Sequence, residues 1–552
     1  MTATTRKESP DGGAADEPAA PKGVMASIDP VVFGGGLLLV VAFAAWGIFA
    51  TDNLKSVADA GLSFVTKYLG WAFIVAGAGF VLFALILAFS RYGRIRLGTD
   101  DERPEFTTPS WFAMMFAAGM GIGLVFFGAA EPLSHFTAPP LGLAEPGSDA
   151  AAQLAMQYTI FHWGLHPWAL YAVVGLALAY TSFRKGNPNL LSSIVLPNMP
   201  IEAPARRAID TFAIFITVFG AATSLGLGAL QINSGLNSAY GVTKSNQVAI
   251  VVIVVLAVIF AISAVSGVGK GIKIVSNINM GLAGVLALFV LVLGPTLVIV
   301  NTFVEMIGDY GTQIVPMSFR TGVYGGQEWL QGWTLFYWAW WMSWAPFVGT
   351  FIARISRGRT IRQFVVCVLL VPTVVSSVWF SILGGTAINL QQNGVDLAGA
   401  ESNEARLFMM LDQFSLSAVT ATLVVLLITF FFVSSADSAS VVLGMLSSKG
   451  SITPHRNVVL LWGSMIAVTA IALLLADGLS IIQQAAVVIA VPFLVLLVAV
   501  CVQLMRQLRE EPVVSTVPEG VYTALYEELG ASRRDVDASI TKHRDAAESE
   551  NQ

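Results

Sequence analysis

Residues 336–349 read FYWAWWMSWAPFVG and contain no charged side chain. They lie within a longer apolar run, 329–355, which is long enough to cross the hydrocarbon core of a bilayer as a helix. Tryptophan in a membrane helix usually lies at the level of the lipid headgroups, yet four of the thirteen tryptophans fall between Trp338 and Trp344. The stretch therefore predicts a transmembrane helix whose aromatic face is turned toward protein rather than lipid.

The composition of the whole chain also indicates a protein that lies in a membrane. Of the 552 residues, 55% are hydrophobic and only 12% are charged, whereas a soluble globular protein carries about 25% charged residues. The net charge of −5 is too small to indicate a nucleic-acid partner. Cys367 and Cys501 both lie in apolar runs and have neither disulfide nor metal-ligand spacing. The composition predicts an integral membrane protein of the all-α class.

Eleven further apolar runs resemble 329–355 in length, which gives twelve predicted transmembrane helices. An even number of spans places both termini on the same side of the membrane. The predicted spans are 31–50, 70–90, 109–133, 152–182, 208–238, 247–266, 278–303, 329–355, 361–383, 415–445, 457–476 and 479–506.

The distribution of basic residues predicts the orientation, since loops rich in lysine and arginine remain in the cytoplasm. Both termini are therefore predicted to be cytoplasmic, in the cell (plasma) membrane. The chain divides into a disordered cytoplasmic N-tail (1–27), a transmembrane domain (28–507) and a cytoplasmic C-tail (508–552). The basic residues lie in the loops after spans 2, 4, 6, 8 and 10, at Arg91, Arg94, Arg96, Arg103, Arg184, Lys185, Arg206, Arg207, Lys270, Lys273, Arg354, Arg357, Arg359, Arg362, Lys449 and Arg456.

Two predicted spans carry residues that interrupt helices. Span 3 contains Gly119-Met120-Gly121-Ile122-Gly123, and span 8 contains Pro346. These are the first spans of two five-span blocks, spans 3–7 and 8–12, and an odd number of spans inverts the second block relative to the first. Interrupted helices at matching places in inverted repeats are typical of the substrate site of secondary transporters, although glycine also allows close helix packing. The predicted repeats cover about 109–303 and 329–507, preceded by two extra helices.

Two spans carry clusters of aromatic residues at helical spacing. Rings that surround a cavity bind a quaternary ammonium by cation–π attraction, which contributes about 2 kcal/mol or more per desolvated ring. The alternative is an interfacial belt or ordinary core packing, which we accept for Trp338. The candidate substrate-binding residues are Trp340, Trp341 and Trp344 in span 8, and Trp163, Trp168 and Tyr171 in span 4.

Span 10 carries hydroxyl groups suited to a small cation. Sodium prefers oxygen ligands, and Ser434 and Ser435 offer two hydroxyls, while backbone carbonyls released by the interrupted span 3 offer others. The alternative is that each serine bonds the carbonyl one turn earlier, as is common in membrane helices. Asp437 is an ionisable residue inside a span and is therefore a functional candidate, suited to orienting the serines or capping a turn rather than to contacting the ion.

Several of these motifs together resemble the betaine/choline/carnitine transporters, over about residues 25–507. The resemblance implies an inverted-repeat fold, a homotrimer and Na⁺ as the coupling ion, with no other cofactor. It places Met120, Gly123 and the six aromatic residues at the substrate, and it places Na⁺ on Ala117, Met120, Phe431, Ser434 and Ser435. The motifs are MMFAA at 114–118, GMGIG at 119–123, FHWGLHPW at 161–168, SLGLGALQ at 224–231, FYWAWWMSWAPFVG at 336–349, ARISRGR at 353–359 and SSADSAS at 434–440.

The resemblance is incomplete at a possible second Na⁺ site. Thr217 and Phe347 match that site, but its second hydroxyl is replaced by Ala221, and Ser224 lies on a neighbouring turn. The number of coupled ions is therefore left open. Choline-transporting members of the family tend to carry an acidic residue near the last glycine of the GMGIG motif, whereas Gly123 is neutral, which favours zwitterions such as glycine betaine, ectoine or proline.

Other classes of function fit the sequence less well. A proton-coupled or exchange carrier for choline- or carnitine-type substrates is the main alternative. A membrane enzyme would need clustered nucleophiles, bases or metal ligands, and we predict no catalytic residue. His162 and His166 lie one turn apart but are flanked by glycine, proline and tryptophan, which favours packing or hydrogen bonding over metal binding. A channel would need a ring of carbonyls or charges, which an aromatic cage does not provide.

Overall fold

A computed structural model of the chain describes residues 27–119, 121–266, 268–475 and 479–511. Within those residues the secondary structure is helical, and the only β contact is an isolated bridge between Arg96 and Thr360. The predicted disordered N-tail up to residue 26 and the C-tail from residue 512 onward lie outside the described residues.

The helices follow one another through short connections. Two π-helical turns, Tyr180–Arg184 and Gln331–Leu335, extend α7 and join α13 to α14. The helices are α1 (Pro30–Phe49), α2 (Thr51–Tyr68), α3 (Gly70–Phe89), α4 (Thr108–Gly119), α5 (Ile122–Thr137), α6 (Asp149–Trp163), α7 (Leu165–Ala179), α8 (Leu191–Val195), α9 (Pro204–Tyr240), α10 (Asn246–Ser266), α11 (Val268–Leu293), α12 (Thr296–Ser318), α13 (Gln327–Leu330), α14 (Phe336–Ile355), α15 (Ile361–Gln392), α16 (Asn403–Leu411), α17 (Ser417–Ser447), α18 (Arg456–Leu475) and α19 (Leu479–Arg509).

Eight helices of the described residues are long and apolar enough to cross a membrane, and they coincide with predicted spans 1, 2, 5, 7, 9, 10, 11 and 12. The other four predicted spans are also helical. Spans 3 and 4 are divided at glycine, span 6 has a shorter apolar segment, Asn246–Ile262, and span 8 is rich in tryptophan, which lowers its mean hydropathy. The chain is thus an all-helical, multi-pass membrane protein, and the count of twelve spans stays a prediction.

Predicted span 7 is wrong at its C-terminal end. The expected helix 278–303 stops at Leu293, and a separate helix, α12, begins at Thr296. Pro295 stands between them and disfavours the helical conformation for the residue before it. Helix α12 packs on α6 and α15 and buries Ile299, Met306 and Tyr310, so it covers the bundle instead of continuing the span.

The core of the molecule is formed by two pairs of helices that pack along their lengths, α9 with α17 and α14 with α7. Gly175 of α7 and Gly349 of α14 face each other, since a Cβ atom added at Gly175 would lie 3.1 Å from the carbonyl oxygen of Gly349. Small residues of this kind let two membrane helices approach closely. The aromatic residues of α14 are therefore held directly against those at the start of α7.

Loops that the sequence predicts to be cytoplasmic meet at one end of the molecule. Arg184, at the end of α7, lies 2.8 Å from Asp100 in the loop after α3. Arg354, at the end of α14, lies 2.7 Å from Glu105 in that same loop. Three of the five basic loops are thus in contact, which agrees with their placement on one side of the membrane.

The last described residue, Glu511, joins this group of loops. Its carboxylate accepts a hydrogen bond from the Tyr180 hydroxyl at 2.6 Å and forms ion pairs with Arg184 at 3.0 Å and Lys185 at 2.9 Å. Burial raises the pKa of Glu511, but the hydrogen bonds from these three residues outweigh it and lower the pKa to about 2. The end of α19 is therefore anchored to the end of α7 by a charged cluster.

Candidate functional site

Predicted span 3 is interrupted at the GMGIG motif. Helix α4 ends at Gly119 and α5 begins at Ile122, with Gly121 in a non-helical conformation between them (φ −117°, ψ −144°). Met120 lies outside the described residues. A Cβ atom added at Gly121 would lie 3.5 Å from the Ser435 hydroxyl oxygen and 3.8 Å from the Trp344 ring. The interruption is thus placed between the aromatic cluster of α14 and the serines of α17.

The interruption predicted at Pro346 is wrong. Helix α14 runs without a break from Phe336 to Ile355 and includes the proline. Proline removes only one backbone hydrogen bond, and neighbouring helices allow it inside a packed membrane helix. A break that we did not predict divides span 4 at Gly164, between α6 and α7. The interruptions therefore lie in spans 3 and 4, and span 8 has no break at Pro346 that could support the predicted inverted repeat.

Four tryptophans from two helices form a cluster next to the GMGIG motif; we call Trp163, Trp340, Trp341 and Trp344 the indole cage. The ring centroids of Trp340 and Trp341 lie 4.8 Å apart and nearly parallel, and Trp163 stands edge-on to Trp341 at 4.9 Å. Trp344 lies 6.2 Å from Trp340. A Cβ atom at Gly123 would lie 2.9 Å from Trp340 and 3.0 Å from Trp163. The absent side chain of Gly123 is what lets Trp340 and Trp163 lie this close to the backbone of α5.

The remaining two predicted aromatic residues extend the cage on one side. Tyr171 lies 6.4 Å from Trp341, and Trp168 lies 5.6 Å from Tyr171. Trp168 thus contacts the cage through Tyr171. The hydroxyl of Tyr171 and the indole nitrogen of Trp340 are buried and have no hydrogen-bond partner among the described residues. Buried polar groups are normally paired, so these two atoms are available to a polar ligand.

Hydrogen bonds fix the orientation of the indole rings. Trp341 donates its indole N–H to the carbonyl oxygen of His162 at 2.9 Å, and Trp344 donates to the carbonyl oxygen of Gly220 at 3.0 Å. The four rings of the indole cage are 1–4% exposed. The N–H groups of Trp341 and Trp344 are thus engaged by backbone carbonyls, whereas that of Trp340 is not. A ligand can enter a cage closed in this way only after the rings move apart.

The predicted Na⁺ ligands are described only in part. Phe431, Ser434 and Ser435 are buried on α17, and Ala117 lies two residues before the end of α4. The Ser434 hydroxyl donates to the carbonyl oxygen of Phe431 at 3.1 Å and accepts from the side-chain amide of Asn279 at 3.1 Å. Asn279 was not predicted, because it comes from α11. The hydroxyls of α17 and the interruption of span 3 are thus brought together.

The possible second cation site shows two hydroxyl groups on one helix. Thr217 and Ser224 both lie on α9, two turns apart, and both hydroxyls are buried with no partner among the described residues. Ala221 is buried between them. Phe347 contacts the indole cage, with its ring 5.9 Å from that of Trp344. The missing hydroxyl at position 221 thus has a candidate replacement in Ser224.

A buried carboxylate lies next to the cage and was not predicted. Glu131 of α5 is 0% exposed. Its Oε2 atom accepts the indole N–H of Trp163 at 2.7 Å and the hydroxyl of Tyr337, while its Oε1 atom lies 2.8 Å from His162 Nδ1 and 3.3 Å from His135 Nε2. These four contacts surround both carboxylate oxygens.

The position of Glu131 in the sequence is itself a functional signal. An acidic residue inside a predicted membrane span is a functional candidate by itself, and Glu131 lies in predicted span 3 as Asp437 lies in span 10. Its partners could not be predicted, since Trp163 and Tyr337 come from two other helices. We predicted packing or hydrogen bonding for His162. One of its ring nitrogens contacts Glu131, and the other lies 2.9 Å from the Thr334 hydroxyl.

Comparison with known proteins gives a consistent result over most of the chain. Residues 31–513 match the betaine/carnitine/choline family of transporters. The glycine betaine transporter OpuD of Bacillus subtilis is 47% identical over 87% of this chain and 94% of its own length. The betaine/ectoine transporter LcoP of Corynebacterium glutamicum is 41% identical over 88% of this chain and 78% of its own. The ectoine/hydroxyectoine transporter of Virgibacillus pantothenticus is 39% identical over 86% and 96%.

Proposed function

The chain belongs to the betaine/carnitine/choline family of transporters, and we propose that it is a secondary active symporter that imports a zwitterionic quaternary-ammonium compatible solute together with Na⁺. Glycine betaine is the first candidate solute, and ectoine and proline are the next. The transporter binds one solute in the indole cage and exposes it to each side of the membrane in turn.

One observation carries the proposal: a cluster of four buried indole rings, two of which lie against Gly123. A methylated ammonium has no N–H group to donate, so aromatic faces are the partners that suit it, and each desolvated ring contributes about 2 kcal/mol or more. The relatives named for glycine betaine and ectoine favour the same class of solute. No acidic side chain stands at Gly123, which favours a zwitterion over a permanent cation such as choline.

Na⁺ is supported by the oxygen atoms near the interruption of span 3. The Ser435 hydroxyl lies close to Gly121, and the carbonyl oxygen of Phe431 lies beside Ser434. Carbonyl groups at the ends of broken helices and hydroxyls from a facing helix are a usual cation site in transporters. We propose Ala117, Met120, Phe431, Ser434 and Ser435 as the Na⁺ ligands, with Thr217 and Phe347 at a second site.

The architecture that we propose around this site has twelve spans in two inverted repeats, about 109–303 and 329–507, preceded by two helices. Both termini are cytoplasmic, which fits the contact between the basic loops. We also propose a homotrimer, because the family resemblance implies one. Cysteine labelling from each side of intact cells would test the orientation, and mass measurement in detergent would test the oligomer.

Proton-coupled or exchange transport of a choline- or carnitine-type substrate is the competing function. The observation that favours it is the buried contact between Glu131 and two histidines, since such groups also form proton relays in membranes. Uptake into proteoliposomes separates the two. We expect accumulation of labelled glycine betaine only with an inward Na⁺ gradient, and not with Li⁺, K⁺ or a pH gradient alone. Equal uptake under a pH gradient without Na⁺ would refute symport with Na⁺.

A further inference from the structure

The proposed function gives Glu131 no role, yet its carboxylate accepts a hydrogen bond from Trp163, one of the four rings of the indole cage. An ionised carboxylate can only accept hydrogen bonds, and the indole N–H of Trp163 can only donate one. Trp163 and the Tyr337 hydroxyl both donate to Oε2, and the two histidine nitrogens approach Oε1. These donors suit an ionised carboxylate. The carboxylate lies at the N–H edge of the Trp163 ring, and Trp163 is part of the indole cage.

We propose that Glu131 is a positioning residue that makes the Trp163 side of the cage selective for a positively charged headgroup. This inference rests on the proposed function, because it assumes that the cage binds a methylated ammonium. The negative charge acts on the ligand through the ring of Trp163 and not by direct contact.

The physical reason is the electron distribution of the indole. Cation–π attraction depends on negative charge at the ring face. A hydrogen bond from the indole N–H to a carboxylate is charge-assisted and strong, and it shifts electron density of the ring toward the face. The carboxylate also adds its own attraction for a cation, and this attraction is larger in a buried site than in water.

The same charge gives the cage two unlike sides. Glu131 adjoins Trp163, whereas the Ser435 hydroxyl lies at the other side, near Gly121 and Trp344. A zwitterion with its ammonium toward Trp163 and its carboxylate toward Ser435 would be attracted at both ends, with Na⁺ beside the carboxylate. The reverse orientation would be repelled at both ends. Glu131 therefore also determines which way the solute points.

The test compares two ligands of one shape. Glycine betaine carries a trimethylammonium group, and 3,3-dimethylbutanoate carries an uncharged tert-butyl group in its place. The ratio of their dissociation constants, measured on the full-length transporter in detergent with saturating NaCl, does not depend on the fraction of active protein. We expect Glu131→Gln to lower the preference for glycine betaine about tenfold, which corresponds to about 1.4 kcal/mol. Glu131→Asp, which keeps the charge, should retain most of the preference.

Two further variants separate charge from scaffolding. Tyr337→Phe removes a hydrogen bond to the same carboxylate oxygen but leaves the charge, so the ligand preference should stay within about threefold of wild type. Trp163→Phe keeps a ring but removes the N–H that joins it to Glu131. If the charge acts through that ring, the effects of Glu131→Gln and Trp163→Phe on the preference should be less than additive.

Four results would overturn the inference. One is an unchanged preference in Glu131→Gln, and another is an equal loss in Tyr337→Phe, which would mean that Glu131 only holds the structure together. If Glu131→Gln does not fold, an unchanged preference in Trp163→Phe, which lacks the N–H that joins the ring to Glu131, would also overturn it. A wild-type protein that binds both ligands equally would overturn the inference and the proposed function together, whereas the first two results leave the proposed function intact.

Discussion

Gly123→Ala tests the geometry of the cage with the smallest possible change. The added methyl group would lie 2.9 Å from a ring atom of Trp340 and 3.0 Å from one of Trp163, which is closer than carbon atoms pack, so both rings must move. Excess volume of one methyl group in a packed site costs about 1–3 kcal/mol. Since the ligand needs those rings in place, we expect KM for glycine betaine to rise about 10- to 100-fold.

The assay is initial uptake of labelled glycine betaine into proteoliposomes with a fixed inward Na⁺ gradient. Gly79→Ala is the matched control, because Gly79 lies inside α3, where an added Cβ meets no atom within 4 Å. Alanine is also a better helix former than glycine, by about 1 kcal/mol, so neither variant should weaken its helix. A KM for Gly123→Ala within twofold of wild type would refute the placement of Trp163 and Trp340 around Gly123.

Three other predictions concern separate parts of the structure. Trp344→Leu removes one ring and should raise KM for glycine betaine about 30-fold, the effect of about 2 kcal/mol; an unchanged KM would remove Trp344 from the cage. Ser435→Ala should shift Na⁺ activation of uptake to about tenfold higher concentration, while Ser440→Ala, whose hydroxyl bonds its own helix at 2.6 Å, should not; equal shifts would contradict the ion site. Glu511→Gln should lower thermal stability in detergent at pH 7, on the order of 1–3 kcal/mol. Because the pKa of Glu511 is lowered from 4.5 to about 2, the difference from wild type should persist above pH 4.5 and vanish as the pH falls toward 2; a difference that does not change with pH would contradict it.

The aromatic residues could be proposed as a site from sequence because their type and their spacing are both local properties. Trp340 and Trp344 lie one turn apart on a single helix, and tryptophan in the interior of a membrane span is unusual. The structure brings Trp163 of α6 to the same place, within 6.3 Å of Trp340. That distance depends on how α6 and α14 pack, so from sequence it followed only from the family resemblance.

The helix interruptions were harder to predict, because proline and glycine act through their surroundings. Pro346 stays inside a continuous helix, whereas Pro295 separates two helices. Pro346 is buried and Pro295 is half-buried, but burial does not decide the outcome, since the exposed Pro492 also lies inside a helix, α19. Gly164 gave no special signal in a sequence with 51 glycines. Its conformation is required by the bend from α6 to α7.

The hydrogen-bond partners of Glu131 could not be predicted from the sequence of its own span. Its burial and its position in span 3 could be predicted, but its meaning depends on donors from α6 and α14 that surround it only in the folded protein. The same is true of Asn279, which reaches Ser434 from α11. Polar contacts between helices depend on the tertiary structure, and helical periodicity in the sequence carries no information about them.

The central claim is that the indole cage holds the quaternary nitrogen of the solute. The most direct measurement is an experimental structure of the transporter with glycine betaine and NaCl. We predict that the quaternary nitrogen lies within about 6 Å of the ring centroids of at least Trp163 and Trp340, the range of a cation–π contact. A solute bound at saturating concentration elsewhere in the protein, with the four indole rings still packed only on one another, would contradict it.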